Sequence, residues 1–136
     1  MSIAMVNQFL VEKLKAATGD MTLITDGQNF TPKGLQDYPF ARFALLPRET
    51  VQRDIGGRNI AEEAGLVAIN IYFSRNINSI TDALVLAEMI KAQFPVSNNI
   101  LDNGNQLIIQ AAWIETVRHE DAAFGVPIFI RWLNIA

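Results

Sequence analysis

Cysteine is absent from the 136-residue chain, and histidine occurs once. The absence of cysteine excludes disulfides, thiolate metal sites and a cysteine nucleophile, and it fits a reducing compartment. His119 lacks the second histidine or cysteine that a specific metal site needs, and no serine lies in a nucleophile-elbow pattern. The sequence therefore predicts no catalytic residue, no metal site and no cofactor, and His119 is interpreted as a solvated loop residue.

Charged residues are scarce as well, at 18% of the chain against 50% hydrophobic residues. The 11 basic and 14 acidic residues give a net charge of −3 and form no basic footprint, so nucleic acid is not an expected partner. No apolar run approaches the roughly 18 residues of a membrane-spanning helix, and the N-terminus lacks the basic region of a signal peptide. We therefore expect no membrane segment and a cytosolic protein. Few charges also leave apolar surface uncovered, which indicates contacts with partners.

Two helices are predicted from apolar residues that recur at helical spacing. The first covers residues 3–17, begins after a Ser2 cap and ends at Gly19, which suits the left-handed residue that closes a helix. The second begins at Ser79–Asp82 and ends before Pro95, because proline cannot continue a helix. Its buried face is predicted to consist of Ile80, Leu84, Ala87, Ile90 and Phe94. The apolar residues that widen this stripe beyond one buried face are Val85, Leu86 and Met89.

Strands are predicted where apolar residues alternate or cluster between turn signals. They cover residues 40–46, 67–73, 107–117 and 126–135, with a short strand at residues 21–24. Pro47 is predicted to end the first long strand, and turns are predicted at Asp26–Gly27 and Asn103–Gly104. We therefore predict a single α+β domain over residues 1–136, with a twisted, mainly antiparallel sheet of about four to five strands and two helices packed on one face.

The last two predicted strands are apolar on both faces, whereas a sheet with one wet face shows a cleaner alternation. In the last strand, one face consists of Ile128, Ile130 and Trp132, and the other of Phe129, Leu133 and Ile135. In the preceding strand, alternation separates Leu107, Ile109, Ala111 and Trp113 from Ile108, Ala112 and Ile114. These strands are central in the sheet, or residues 25–38 cover the second face, or a neighbouring subunit packs on it. The low charge content favours the subunit.

A polar segment, residues 47–63, is predicted as either a mobile loop or a solvated hairpin with its tip at Gly56–Gly57. Three arginines recur in it every five residues, a spacing that suits no single helix or strand face. Mixed with acids, they indicate either a solvated segment or an ion-pairing contact with a partner. The candidate interface residues are therefore Arg48, Arg53, Arg58, Glu62, Glu63, Phe129, Leu133 and Ile135.

The order of these elements resembles the tail terminator proteins of tailed bacteriophages, which are also called tail completion or tail-to-head joining proteins. An N-terminal helix precedes the strand sequence Tyr38-Pro39-Phe40-Ala41-Arg42-Phe43 and a polar excursion. The strand 65–73, the helix that begins Ser79-Ile80-Thr81-Asp82 and two closing strands follow. The resemblance covers nearly the whole chain as an architecture, and no signature motif carries it.

The resemblance implies a structural protein that is not an enzyme. Tail terminators assemble, typically as hexameric rings, on the last ring of the tail tube, halt its polymerisation and offer a docking face to the head connector. The implied partners are further copies of the chain, the tail tube protein and the head-tail connector protein. The implied location is the host bacterial cytoplasm during assembly, and then the tail of the virion.

Two alternative functions remain open at the level of the sequence. The first is another phage neck or minor tail protein, because related proteins share much of the pattern. The second, from a different class, is a small-molecule-binding or enzymatic α+β domain whose pocket lies under residues 25–38.

Overall fold

The computed structural model describes residues 3–19, 21–25, 28, 30–34, 37–55, 58–76, 79–101, 104–120 and 123–135, with side chains except at residues 3 and 47–61. The elements within these ranges are α1 (Ile3–Thr18), β1 (Thr22–Thr25), β2 (Phe40–Ile55), β3 (Arg58–Ser74), α2 (Ile80–Ala92), β4 (Ser97–Ile100), β5 (Gln106–Ile114), β6 (Arg118–His119) and β7 (Ala123–Ile135). The predictions that lie outside the described residues are the Ser2 cap, the Asp26–Gly27 turn, the Gly56–Gly57 tip and Asn103.

The strands form one seven-stranded sheet in the order β1-β2-β3-β7-β5-β4, and β6 also pairs with β7. All neighbouring strands are antiparallel except β1 and β2, which are parallel. The predicted α+β class and the mainly antiparallel sheet are therefore confirmed, but the sheet has more strands than the four to five predicted. β4 and β6 account for the difference: they are 4 and 2 residues long, too short and too polar to show an alternating pattern.

Both helices contribute to a single buried core with one face of the sheet. From α1 the fully buried residues are Val6, Leu10 and Leu14, and from α2 the buried residues are Ala83, Ala87 and Ile90. From the sheet the same core contains Val67, Ile69, Ile71, Phe73, Leu107, Ile109, Ile128, Ile130 and Trp132. The predicted placement of two helices on one face therefore holds. α1 ends as predicted at Gly19, whose φ of 63° is the left-handed conformation that glycine adopts without a steric penalty.

The buried face of α2 differs from the predicted one. Ala83 is fully buried, whereas Ile80 and Leu84 are exposed to 42% and 36%. The helix is therefore rotated so that its small residues, Ala83 and Ala87, face the sheet. Apolar residues surround most of α2, so hydrophobicity alone did not determine which side is buried, and small side chains allow the helix to approach the strands closely.

The N-terminus of α2 is capped as the sequence predicts. The backbone N–H of Asp82 donates to Ser79 Oγ at 3.1 Å, and Ser79 has the extended conformation of a cap residue. We expect Ser79→Ala to lower the free energy of unfolding by about 1 kcal/mol, because an N–H of the first turn loses its acceptor. Urea denaturation checks this, with Ser79→Asp as a control that retains an acceptor and should stay close to wild type.

Pro47 does not end β2, contrary to the prediction. The strand continues to Ile55 and forms a long hairpin with β3, in which the register shifts between Pro47 and Glu49. Beyond Phe43, β2 pairs with β3 alone, since β1 reaches only to that residue. Proline lacks the N–H that a central strand needs, but an edge strand at a bulge tolerates it. Of the two predictions for residues 47–63, the structure confirms the hairpin.

A second bulge, in β5, inverts the predicted alternation of that strand. The register with β7 shifts between Ile109 and Ala111, so Gln110 is the extra residue. Leu107 and Ile109 lie on the core face, and after the bulge this face continues with Ala112 and Ile114, which pair with Ile130 and Ile128. The residues transferred to the other face are Ala111 and Trp113, opposite Arg131 and Phe129. A single inserted residue exchanges the two faces of a strand.

Candidate assembly surfaces

The face of the sheet that is remote from the helices carries an apolar surface, here called the open face. It is built from rows of paired residues, because directly opposed residues of antiparallel strands point to the same side. One row joins Trp113 to Phe129, and another joins Ile108 to Leu133. The row between them runs from Ala111 through Arg131 and Leu66 to Leu46. Leu46 is 44% exposed, and the other apolar members of these rows are half-buried.

One end of this face is covered by the segment between β1 and β2. The rings of Phe30 and Tyr38 lie 4.9 and 5.4 Å from that of Phe40, which stacks on Tyr72 at 5.0 Å. Arg42 Nη2 donates to the carbonyl of Phe30 at 2.7 Å and ties the segment to β2. The prediction that residues 25–38 cover the second face is therefore correct for this end only.

A polar and aromatic cluster lies on the open face next to the covered end. The rings of Trp113 and Phe129 stack with centroids 5.8 Å apart, and the guanidinium of Arg131 lies 5.5 Å from the Trp113 ring. Trp113 Nε1 donates to Glu115 Oε1 at 2.7 Å, so the indole is held from its edge as well. Arg131 is exposed, and a cation over an aromatic face is stabilised by the ring quadrupole. The cluster thus places the guanidinium of Arg131 beside an aromatic ring on the open face, with the carboxylate of Glu115 at the edge of the same ring.

The structure brings some of the predicted interface residues together and separates others. Phe129, Leu133 and Ile135 share the open face, and Glu62 pairs with Ile135 on the same side. Glu63 pairs with Asn134 and therefore points to the opposite side of the sheet. The three arginines lie on the long hairpin, whose side chains are outside the described residues: Arg48, Arg53 and Arg58. Their role in an interface stays a prediction.

Several residues of the open face are missing from the sequence-based set. The predicted alternation groups Trp113 with Leu107 and Ile109, which lie on the core face, because the β5 bulge leaves no signal in the pattern of apolar residues. Arg131, which lies between Phe129 and Leu133 in the sequence, is also absent from the set. Because side chains of a strand alternate between its two faces, Arg131 lies on the same face as Phe129 and Leu133, and this could have been read from the sequence.

The outer side of α2 forms a second exposed apolar surface, here called the outer helix stripe. Val85 is 55% exposed and Met89 62% exposed, which are high values for large apolar side chains. Together they line a shallow depression whose members are Thr81, Leu84, Val85, Glu88, Met89 and Ala92. Glu88 is exposed and has no partner within the described part of the chain. The prediction that α2 is more apolar than one buried face requires is confirmed.

Three polar side chains are buried at the base of the long hairpin. Trp132 and Asn134 are fully buried, and Glu63 is half-buried. Trp132 Nε1, both side-chain polar atoms of Asn134 and Glu63 Oε2 lack a hydrogen-bond partner among the residues that the structure describes. Asn134 lies directly opposite Glu63 in the sheet. Buried polar atoms without hydrogen-bond partners are destabilising.

His119 lies in the short strand β6 and not in a loop as predicted, although it is exposed. Its Nδ1 lies 3.0 Å from Arg75 Nη2, and Arg75 Nε donates to the carbonyl of Glu120 at 3.0 Å. These contacts tie the end of β3 to β6.

Among the residues with described positions, no three histidine, aspartate or glutamate side chains come together as metal ligands would. No described helix has the length and apolar character needed to cross a bilayer.

Solved structures with the same fold include two that align over almost the whole chain. One, a protein without a functional name, has a TM-score of 0.71 and 22% identity, and the match covers 100% of this chain and 96% of the other. The second belongs to the virion of a native gene transfer agent particle, with a TM-score of 0.57, 13% identity, and coverage of 99% and 100%. No protein-family model and no curated protein matches the sequence. At these identities the likeness is one of fold.

Proposed function

We propose that the chain is a structural subunit of a phage-like particle that forms a ring on the end of a tail tube. The ring would stop polymerisation of the tube and join the tail to the head. One observation carries the proposal: the chain has apolar surfaces on both sides of one fold, the outer helix stripe and the open face. The shared fold with a chain of a gene transfer agent virion supports the same class of role.

Two uncovered surfaces on opposite sides of a subunit favour a head-to-tail contact. Such a heterologous contact uses a different patch on each of two copies, and it closes into a ring when the rotation between copies closes. When the rotation does not close, the same contact produces a filament. A tube-capping protein needs closure, since a filament would continue to grow. The expected partners are further copies of the chain, the tail tube protein and the head connector, and the expected role is structural and not catalytic.

The proposal is tested by sedimentation velocity and light scattering of the purified protein, followed by electron microscopy with tail tubes. We expect a concentration-dependent equilibrium between monomer and a closed ring, a hexamer if the resemblance to tail terminators holds. Tubes assembled with the protein should end in a single added ring and should not lengthen further. A strict monomer at high concentration that leaves tube length unchanged contradicts the proposal. A ring that does not bind tail tubes would instead indicate a neck component.

A further inference from the structure

We propose that the outer helix stripe of one copy packs on the open face of the next copy, with Glu88 of the first copy paired to Arg131 of the second. The inference rests on the proposed self-assembly and identifies the two surfaces that carry it. Its occupant is a second copy of this chain, because the two surfaces complement each other in size, polarity and charge.

The dimensions of the two surfaces agree. The outer helix stripe runs from Thr81 to Ala92, which is about 16 Å of helix at about 1.5 Å per residue. The open face spans four strands, β2, β3, β7 and β5, which is about 14 Å across at about 4.8 Å per strand. Along the strands, the distance from Phe129 to Leu133 is about 13 Å at about 3.3 Å per residue. A helix of this length is therefore long enough to span the rows of the open face in either direction.

The charges complement each other and occupy equivalent positions. Glu88 lies in the middle of the outer helix stripe, between Leu84 and Ala92. Arg131 lies in the middle row of the open face, between the rows of Phe129 and Leu133. Both side chains are exposed, and neither forms an ion pair with another described residue. When the centres of the two surfaces are placed together, the carboxylate and the guanidinium meet, whichever way the helix runs across the strands.

Each charge would oppose association if it were buried without the other. A charged group removed from water needs a partner of opposite sign, and the loss of one partner of such a pair costs far more than the pair contributes. The guanidinium of Arg131 is already positioned over the Trp113 ring, which reduces the side-chain freedom that is lost on binding. The pair therefore fixes the position of the helix on the face, and the surrounding apolar residues provide most of the buried area.

The contact also completes the layering of the fold. Within one copy, both described helices lie on the same side of the sheet, and none of the described residues forms a helical layer over the middle rows of the open face. In the proposed contact, α2 of the neighbouring copy supplies that layer, so each sheet is covered on both sides as in stable two- and three-layer domains. The segment that contains Phe30 and Tyr38 covers the end of the face at Phe40 and Tyr72, on β2 and β3, and leaves the middle rows uncovered.

Charge reversal tests the contact. Glu88→Arg alone and Arg131→Glu alone should each weaken self-association about 10- to 1000-fold, because like charges then face each other. The double variant should recover association to within about tenfold of wild type. Glu12→Arg, which reverses an exposed acid on α1, is the matched control and should leave association unchanged. Single reversals that assemble like wild type, or a double variant that is as weak as the singles, overturn the contact.

Thiol cross-linking separates this inference from the proposed ring. The chain has no cysteine, so Val85→Cys on the helix and Ala111→Cys on the open face introduce the only thiols. With a short bismaleimide, the two single variants should cross-link when mixed and not alone, since the contact joins different surfaces. A chain with both substitutions should form a ladder that stops at the closed ring. Cross-linked products that continue beyond any fixed size would support the contact and contradict the closed ring. A closed ring in which the mixed single variants do not cross-link would support the ring and overturn the contact.

Discussion

Replacement of Gly65 by alanine is expected to lower the free energy of unfolding by about 2–3 kcal/mol, because the added methyl group has no space. A Cβ at this position would overlap Cζ2 of Trp132 and would lie 2.7 Å from its Cε2 and 2.8 Å from the carbonyl oxygen of Leu46. The indole is fully buried in the core, and the carbonyl belongs to the neighbouring strand. Neither can move without disturbing the packing around it. Urea denaturation of the monomer measures the change.

Gly125→Ala is the matched control for this prediction. Gly125 is also a buried strand glycine, but its added Cβ would meet only the ring of Tyr72, at 3.2 Å. That ring is half-buried, and a contact at this distance needs a smaller displacement than the overlap at Gly65, so we expect a change within about 1 kcal/mol. Combining Gly65→Ala with Trp132→Phe should give less destabilisation than the sum of the two single changes, because the smaller ring relieves part of the overlap. A Gly65→Ala variant as stable as wild type would show that the indole has another position available.

The bulge in β5 shows why the sheet faces could be predicted only in part. Alternation correctly separated the two faces of β7, where Ile128, Ile130 and Trp132 are buried and Phe129 and Leu133 are half-buried. In β5 the same rule failed after Gln110, because a bulge depends on the hydrogen bonds to the neighbouring strand. The residues around Gln110 do not show in the sequence how β5 pairs with β7. Trp113, which lies on the open face, was consequently grouped with Leu107 and Ile109.

The edges of the sheet were difficult to predict for a related reason. Pro47 has a local preference against strands, yet β2 passes through it because only one side of the strand is paired there. β4 contains two asparagines and becomes a strand through pairing with β5, not through its own propensity. Helix caps and turns depend on nearby residues only, so Ser79, Gly19 and Gly104, with its φ of 85°, were predicted correctly.

The sequence could predict that the chain has more apolar residues than its core needs, but not which of these residues are exposed. The sequence shows that α2 and the last strands carry more apolar residues than one core needs. Which part of that excess stays exposed depends on the rotation of α2, which the close approach of Ala83 and Ala87 to the sheet determines. The proposed ion pair between Glu88 and Arg131 can be inferred only when both surfaces are known. Each residue is a candidate because it lies near the centre of one of the two surfaces.

Asn134→Leu is expected to raise the free energy of unfolding by about 1–2 kcal/mol, contrary to most substitutions of a fully buried residue. Asn134 is 0% exposed, and neither its Oδ1 nor its Nδ2 has a hydrogen-bond partner among the described residues. Its neighbour on β5 is Leu107, and leucine has the same number and branching of side-chain heavy atoms as asparagine, so the substitution keeps the shape of the side chain beside an apolar neighbour. Leucine removes two buried polar atoms whose lost hydration no hydrogen bond from a described residue compensates.

The measurement for Asn134→Leu is urea denaturation at a concentration at which the protein is monomeric, since assembly would add to the apparent stability. Asn134→Asp is the informative counterpart, because it places a second carboxylate directly opposite Glu63. We expect that variant to lose stability at neutral pH, as two like charges face each other in a poorly solvated site. A loss of stability in Asn134→Leu would instead show that an ordered water or another group satisfies the amide, since only then does leucine remove hydrogen bonds from the folded chain.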